Sequence, residues 1–411
     1  MHSKKSIKFL TALFPLAFMI ASFALCKFIK VLNKKNDTPA FNSKLETFES
    51  SQTSSDKNEE EMRGVWVPFI DLELNSNEEI QKKFENRFGS IVNQAKNNKI
   101  NTLIVHVRSH SDALYPSEIF PWSHIFTGTQ GSEIPFDPLK YMVEESHKNG
   151  LKFHAWINPL RIKSKTVPSQ LSKKNPYFKL NSEKYVINHK EGIYYNPGFI
   201  EVKNLIIDGI KEIVENYDVD GIHFDDYFYP PKKDIISHDS SFEEYIKIEK
   251  NPMTEHEWQQ KNINELIQKT YQVIKQTNSN VQFGISPPGI ISKCYEVGAD
   301  VKLWLSREGY IDYICPQIYW SIDFNEMPFE KTAKEWKNIE KNPKIKIYSG
   351  LALYKIGTDL DKNTWKNKND IIKKEIQILR NLGYDGFILY SSKYLNCNQT
   401  EHEIKNYLSV V

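Results

Sequence analysis

Two carboxylates stand side by side, Asp225 and Asp226, in the segment Asp220-Gly-Ile-His-Phe-Asp-Asp-Tyr-Phe-Tyr-Pro230. Successive side chains of a strand point to opposite faces. One of the pair can therefore enter a ligand site while the other takes backbone or cationic partners. A carboxyl near another, or in a dry pocket, keeps its proton to higher pH and can donate it. Such a doublet can also be a helix cap or a surface pair, but its position at the end of an apolar run favours acid/base work.

Other polar residues sit at the ends of similar runs. His106 and Arg108 are two apart, as are His154, Trp156 and Asn158, His223 and Asp225, and Gln317 and Tyr319. On extended strands each group shares a face. Arg161 follows the second group and Trp320 the last. Buried histidine and arginine are costly unless paired. A single buried histidine is readily a satisfied core residue, but several such residues meeting at one rim imply a polar ligand. Asp323 is a weaker second candidate carboxylate.

The elements that must position these residues alternate between strand and helix. Eight short β-rich runs stand out: Gly64–Phe69, Thr102–Arg108, Lys152–Asn158, Gly221–Asp225, Val281–Ser286, Tyr313–Tyr319, Lys346–Leu351 and Gly386–Tyr390. Helical stripes follow them, such as Ile80, Phe84, Phe88, Val92 and Ala95 at a period near 3.6. Asp137 and Pro138 open one helix as N-cap and first residue. Long insertions follow the third and fourth strands. The count predicts a (β/α)8 TIM barrel with enlarged loops over residues 62–411, its chemistry at the C-terminal ends of the strands. A doubly wound sheet would need a glycine-rich phosphate turn after its first strand, and Pro68-Phe-Ile-Asp71 offers none.

Charge excludes one class of partner. Fifty-four basic and 52 acidic residues leave a net +2, which makes no electrostatic case for nucleic acid. Of the four cysteines, Cys26 lies in an N-terminal apolar run, and Cys294, Cys315 and Cys397 show no CxxC spacing, so neither a zinc site nor a redox pair is signalled. Lys4, Lys5 and Lys8 precede the apolar run Phe9 to Cys26. That run is near the minimum for a membrane span; the alternative is a cleaved signal peptide, whose apolar core is usually shorter and whose small-x-small site would need to be more convincing than the end of this run offers. Residues 1–32 are expected to be a single-pass transmembrane anchor and residues 33–61, polar and serine-rich, a disordered tether that leaves the barrel outside the cell.

The motifs Arg63-Gly-Val-Trp66, His106-Val-Arg108, His154-Ala-Trp-Ile-Asn158, Asp220 to Pro230, and Pro316-Gln-Ile-Tyr-Trp320 together resemble the glycosyl-hydrolase-like 10 family of bacterial cell-surface proteins. The resemblance runs from about Met62 to Leu395 and implies a TIM-barrel glycosidase-like enzyme; some relatives act on peptidoglycan glycan strands stripped of their peptides. A more distant similarity is to chitinase-type barrels, whose fourth strand reads DxxDxDxE. Asp220 and Asp225 match its first and third acids, His223 replaces the second, and Tyr227 stands where the acid/base Glu would be.

The sequence therefore points to hydrolysis of a glycosidic bond in an extracellular glycan, a task two carboxylates share. Asp225 is the expected principal catalytic group and Asp226 its partner. His106, Arg108, Asn158, His223, Tyr227, Gln317 and Tyr319 are expected to bind sugar hydroxyls or an acetamido group, and Trp156 and Trp320 to offer stacking faces. No cofactor or metal is required, although Asp225, Asp226 and His223 could hold an ion. The alternative is a cell-surface barrel that binds carbohydrate without turning it over. A structural envelope protein would explain the anchor but not the polar rim.

Overall fold

Strands form where β-branched and aromatic residues cluster, and the barrel closes because each run buries both faces. The computed structural model describes residues 61–411 except Asn77, Asn181, Tyr227 and His238. The expected anchor and tether lie outside these residues. Among the described residues no helix is long and apolar enough to cross a membrane.

The strands are β1 Met62–Val67, β2 Thr102–Arg108, β3 Lys152–Ile157, β4 Arg161–Ser164, β5 Val186–His189, β6 Gly192–Tyr195, β7 Gly221–Phe224, β8 Gln282–Ile285, β9 Tyr313–Ile314, β10 Lys346–Leu351 and β11 Gly386–Tyr390. Eight of them, β1, β2, β3, β7, β8, β9, β10 and β11, form a closed parallel barrel in that order. It shuts where β11 pairs with β1, Met62 opposite Gly386 and Trp66 opposite Tyr390. The outer layer holds helices α1 Ile80–Asn97, α2 Pro138–Lys148, α3 Ile200–Asn216, α4 Glu255–Thr277, α5 Val301–Ser306, α6 Phe329–Lys337, α7 Ile371–Asn381 and α8 Glu401–Tyr407. Asp137 caps α2 as expected, its side chain accepting the Lys140 N–H at 3.1 Å.

Apolar side chains pack in two places. The larger core lies between strands and helices. A smaller one fills the barrel interior with Met62, Trp66, Ile104, Trp156, Tyr313 and Tyr348 among others. Bulky interior rings need room opposite them. At Gly284 a Cβ would fall 1.9 Å from the Tyr313 ring, so only glycine lets that ring lie across the barrel.

Four details depart from the sequence reading. The first strand stops at Val67, because Pro68 has no N–H for the ladder and Phe69 begins a short helical turn, Phe69–Leu72. The run Tyr313–Tyr319 keeps only two strand residues; Pro316 interrupts it, and Gln317 rejoins through isolated bridges to Pro288 and Gly350. The insertion after β3 folds into an antiparallel sheet of order β4-β6-β5. Finally, a bulge in β2 leaves Val107 without an opposite residue, His106 pairing with Trp156 and Arg108 with Ile157.

Candidate active site at the barrel mouth

Asp225 follows the last residue of β7 and keeps the inward alternation set by His223. It is 2% exposed. Its Oδ2 accepts the Trp156 indole N–H at 3.0 Å and the Asn158 amide at 3.3 Å, both from the end of β3. Asn158 is fixed in turn, its Oδ1 accepting the Arg161 backbone N–H at 3.0 Å. The His106 ring lies on Trp156 at 3.6 Å and 6°, and its Nε2 is 4.0 Å from the same Asp225 oxygen. Burial first, then the Arg161 charge, hold the His106 pKa well below the usual imidazole range, so the ring is neutral. With one face covered by His106, Trp156 is not the open stacking platform expected of it; here it serves as a hydrogen-bond donor to Asp225.

Beneath the pair runs a chain of buried hydrogen bonds. The Trp66 indole, which can only donate, reaches His223 Nε2 at 3.2 Å. That assigns the His223 proton to Nδ1, which donates to the Tyr313 hydroxyl at 2.9 Å. Tyr313 then donates to His154 Nδ1 at 2.9 Å. Ser286 Oγ lies 2.9 Å from His223 Nε2 as well. Both ring nitrogens of His223 are engaged and the residue is wholly buried. It cannot contact sugar as expected, and it has no nitrogen free for a metal; it props the floor under Asp225.

Asp226 turns sideways. It lines a cavity of about 1030 Å³ whose other walls include His189 and Tyr194 of the small sheet, Lys232 and Lys233, and Tyr295. Burial raises its carboxyl pKa, against smaller opposing pulls from the backbone, the Gln317 amide and Arg161. Gln317 is held by its own amide, which donates to the Ser286 carbonyl at 2.9 Å. Tyr319 stands edge-on to Trp66 at 6.4 Å and beside Tyr390 at 5.9 Å. Half-buried Trp320 rests on Gly289, where a Cβ would come within 2.8 Å of its ring. Across the mouth, Tyr390 lines a second cavity of about 650 Å³ with Ile70, Arg87 and Tyr394.

Two expected residues are elsewhere. The β2 bulge turns Arg108 out of the barrel, where its guanidinium lies 4.4 Å above the Phe120 ring and packs against Gly209 of α3. Asp323 is half-exposed and paired with Lys368 at 3.1 Å. Tyr227 lies outside the described residues. The sequence reading missed Trp66 as a site residue, although it closes the quoted Arg63-Gly-Val-Trp66 motif. It also missed His189 and Tyr194, on the short strands β5 and β6 of the first insertion, and Lys233 in the second.

A family model described as "Glycosyl hydrolase-like 10" matches residues 61–367. The chain is 34% identical to glycosyl hydrolase YngK of Bacillus subtilis over 364 residues, covering 83% of this chain and 70% of the relative. It is 31% identical to glycosyl hydrolase DigH of Escherichia coli K12 over 331 residues, 74% of this chain and 75% of the relative. Among solved structures, the glycoside hydrolase domain of PgaB (BpsB) from Bordetella bronchiseptica superposes with a TM-score of 0.58 at 10% identity, covering 84% of this chain and 98% of that one. At that identity the superposition speaks for the fold.

Proposed function

The chain belongs to the glycosyl hydrolase-like 10 family, and from that membership we propose that it hydrolyses glycosidic bonds of a peptidoglycan-type wall glycan outside the cell. Asp226 gives the leaving oxygen its proton, and Asp225 meets the positive charge that develops on the sugar ring. The observation that carries this reading is the contrast between two neighbouring carboxyls. Asp225 is clamped by two N–H donors on the barrel floor. Asp226 borders open space and is pushed towards its protonated form by burial. Environments that drive two carboxyls apart mark acid and partner.

Gln317, Tyr319 and Trp320 supply an amide, a hydroxyl and a ring for the sugar. The polymer class is supported by the basic start and apolar run at Lys4 to Cys26, which would tether the barrel at the cell surface, where such a glycan lies.

The test is incubation of the full-length chain with purified peptidoglycan, with and without its stem peptides, followed by mass analysis of the soluble products. Saccharides bearing a new reducing end are expected. Binding to the glycan with no product from either form would overturn hydrolysis in favour of a barrel that only binds.

A further inference from the structure

The loop leaving β2 brings together three side chains that the proposed hydrolysis does not use. His110, Asp112 and His124 are 1%, 0% and 4% exposed. Each offers a ligand-type atom, and the three atoms lie within 4.8 Å of one another. Asp112 accepts the His110 backbone N–H at 3.1 Å and lies 3.3 Å, through Oδ2, from His124 Nδ1. His110 Nδ1 is taken by the Ser109 hydroxyl at 2.9 Å, so its Nε2 is the nitrogen left for another partner. The two imidazoles stand edge to face at 5.4 Å. Phe69 closes over both, at 5.0 Å from His110 and 5.9 Å from His124.

One atom in this cluster is stranded. His124 Nε2 is buried and has no hydrogen-bond partner. If Nδ1–H donates to Asp112, Nε2 carries a lone pair that a cation can use.

We propose that His110, Asp112 and His124 bind one divalent transition-metal ion, Zn²⁺ by preference, which ties the two ends of the loop after β2 to each other. Two imidazoles and a carboxylate suit zinc, whereas calcium and magnesium take oxygen ligands. Tetrahedral zinc with bonds near 2.0–2.1 Å sets its ligand atoms roughly 3.4 Å apart. The Asp112–His124 pair already has that spacing, and a modest turn of the His110 ring brings in the third ligand. The ion can take His124 Nδ1 with Asp112 as co-ligand, or Nε2 with Asp112 orienting the ring from behind. The first makes ligands of all three residues, and the second keeps the two histidines as ligands with Asp112 fixing the His124 ring. Phe69 also touches His106 at 5.7 Å, so the ion would stiffen the wall that backs the His106–Trp156 stack. The inference stands apart from the proposed hydrolysis, since the ion takes no part in the reaction.

The test uses the full-length chain, free of any histidine tag, stripped with chelator and titrated calorimetrically with ZnCl₂. One equivalent should bind, and Tm should rise to a plateau as the site fills. His124→Gln and His110→Gln should each weaken binding at least about tenfold, while Asp226→Asn leaves it unchanged. Absence of saturable binding by the wild type would overturn the site. So would unaltered binding by both histidine variants, or loss of binding in Asp226→Asn, which would move the ion to the barrel mouth. Should the variants fail to fold, cobalt substitution of the wild type decides: tetrahedral d–d bands support the site, and an octahedral spectrum refutes it.

Discussion

Asp225 and Asp226 are one peptide unit apart, yet the fold gives them different chemistry. Asp225→Asn keeps the shape and both donors around it but cannot carry charge. It should lower glycan turnover by about 10²–10⁴, with binding and fold retained. Asp226→Asn should be selective: turnover of the natural glycan falls by a similar factor, but an aryl glycoside whose phenolate leaves unprotonated is largely spared. Equal losses on both substrates in initial-rate assays would remove Asp226 from the acid role. The wild-type pH profile should agree. Asp226 must be protonated to donate, and its pKa lies above the ordinary 3.8, so activity is present below the raised value and lost as pH rises through it. The inward turn of Asp225 was legible from its alternation with His223. That of Arg108 was not, because nothing in Thr102-Leu-Ile-Val-His-Val-Arg108 announces that Val107 will bulge and reverse the parity after it.

At the level of elements, the floor beneath Asp225 depends on strands that meet face to face. Gly284 of β8 is in register with Tyr313 of β9, and the Tyr313 hydroxyl joins His223 to His154. Gly284→Ala would drive a methyl into that ring. Overpacking of this kind costs about 1–3 kcal/mol, and displacement of the hydroxyl should lower turnover as well. The urea midpoint should fall measurably; an unchanged midpoint with full activity would show that Tyr313 swings aside without consequence. The small sheet β4-β6-β5 is an element of another kind. β5 and β6 form a hairpin joined by Lys190 and Glu191, but β4 ends at Ser164 and pairs with β6 across the long insertion, so its pairing is fixed by docking rather than by pattern. The sheet nonetheless supplies His189 and Tyr194 to the cavity beside Asp226.

For the whole molecule, the closing helices α7 and α8 hold a pH-sensitive contact. Glu375 of α7 is fully buried with neither carboxyl oxygen hydrogen-bonded, and Glu403 of α8 lies buried with it. Burial, then the charge of Glu403, raise the Glu375 pKa well above its ordinary 4.5. The native state therefore holds a proton that the unfolded chain releases, and the linkage slope is negative over that interval. The contribution of Glu375 is full below pH 4.5 and declines as pH rises from there towards the raised native value. Glu375→Gln, neutral throughout, should flatten that decline and raise the urea midpoint near neutrality; a variant with the wild-type pH dependence would place the decline in other groups. Topology is testable on the same scale. If the run from Phe9 to Cys26 anchors the chain with the barrel outside, protease added to intact spheroplasts should degrade the barrel. A fully protected barrel would reverse the orientation.

The sequence by itself determined the eight-fold alternation, the strand ends at which chemistry gathers, and the inward-facing carboxylate, because period and local propensity are written residue by residue. Only the tertiary structure decided which of those residues face one another. Trp156 and His223 read as sugar contacts, but closure of the barrel turned one into a donor to Asp225 and the other into a prop under it. Arg108 left the site through a one-residue bulge, and the cavity beside Asp226 draws on both insertions. Partner choice inside a barrel depends on registers and ring positions set jointly by eight strands, and no single segment encodes it.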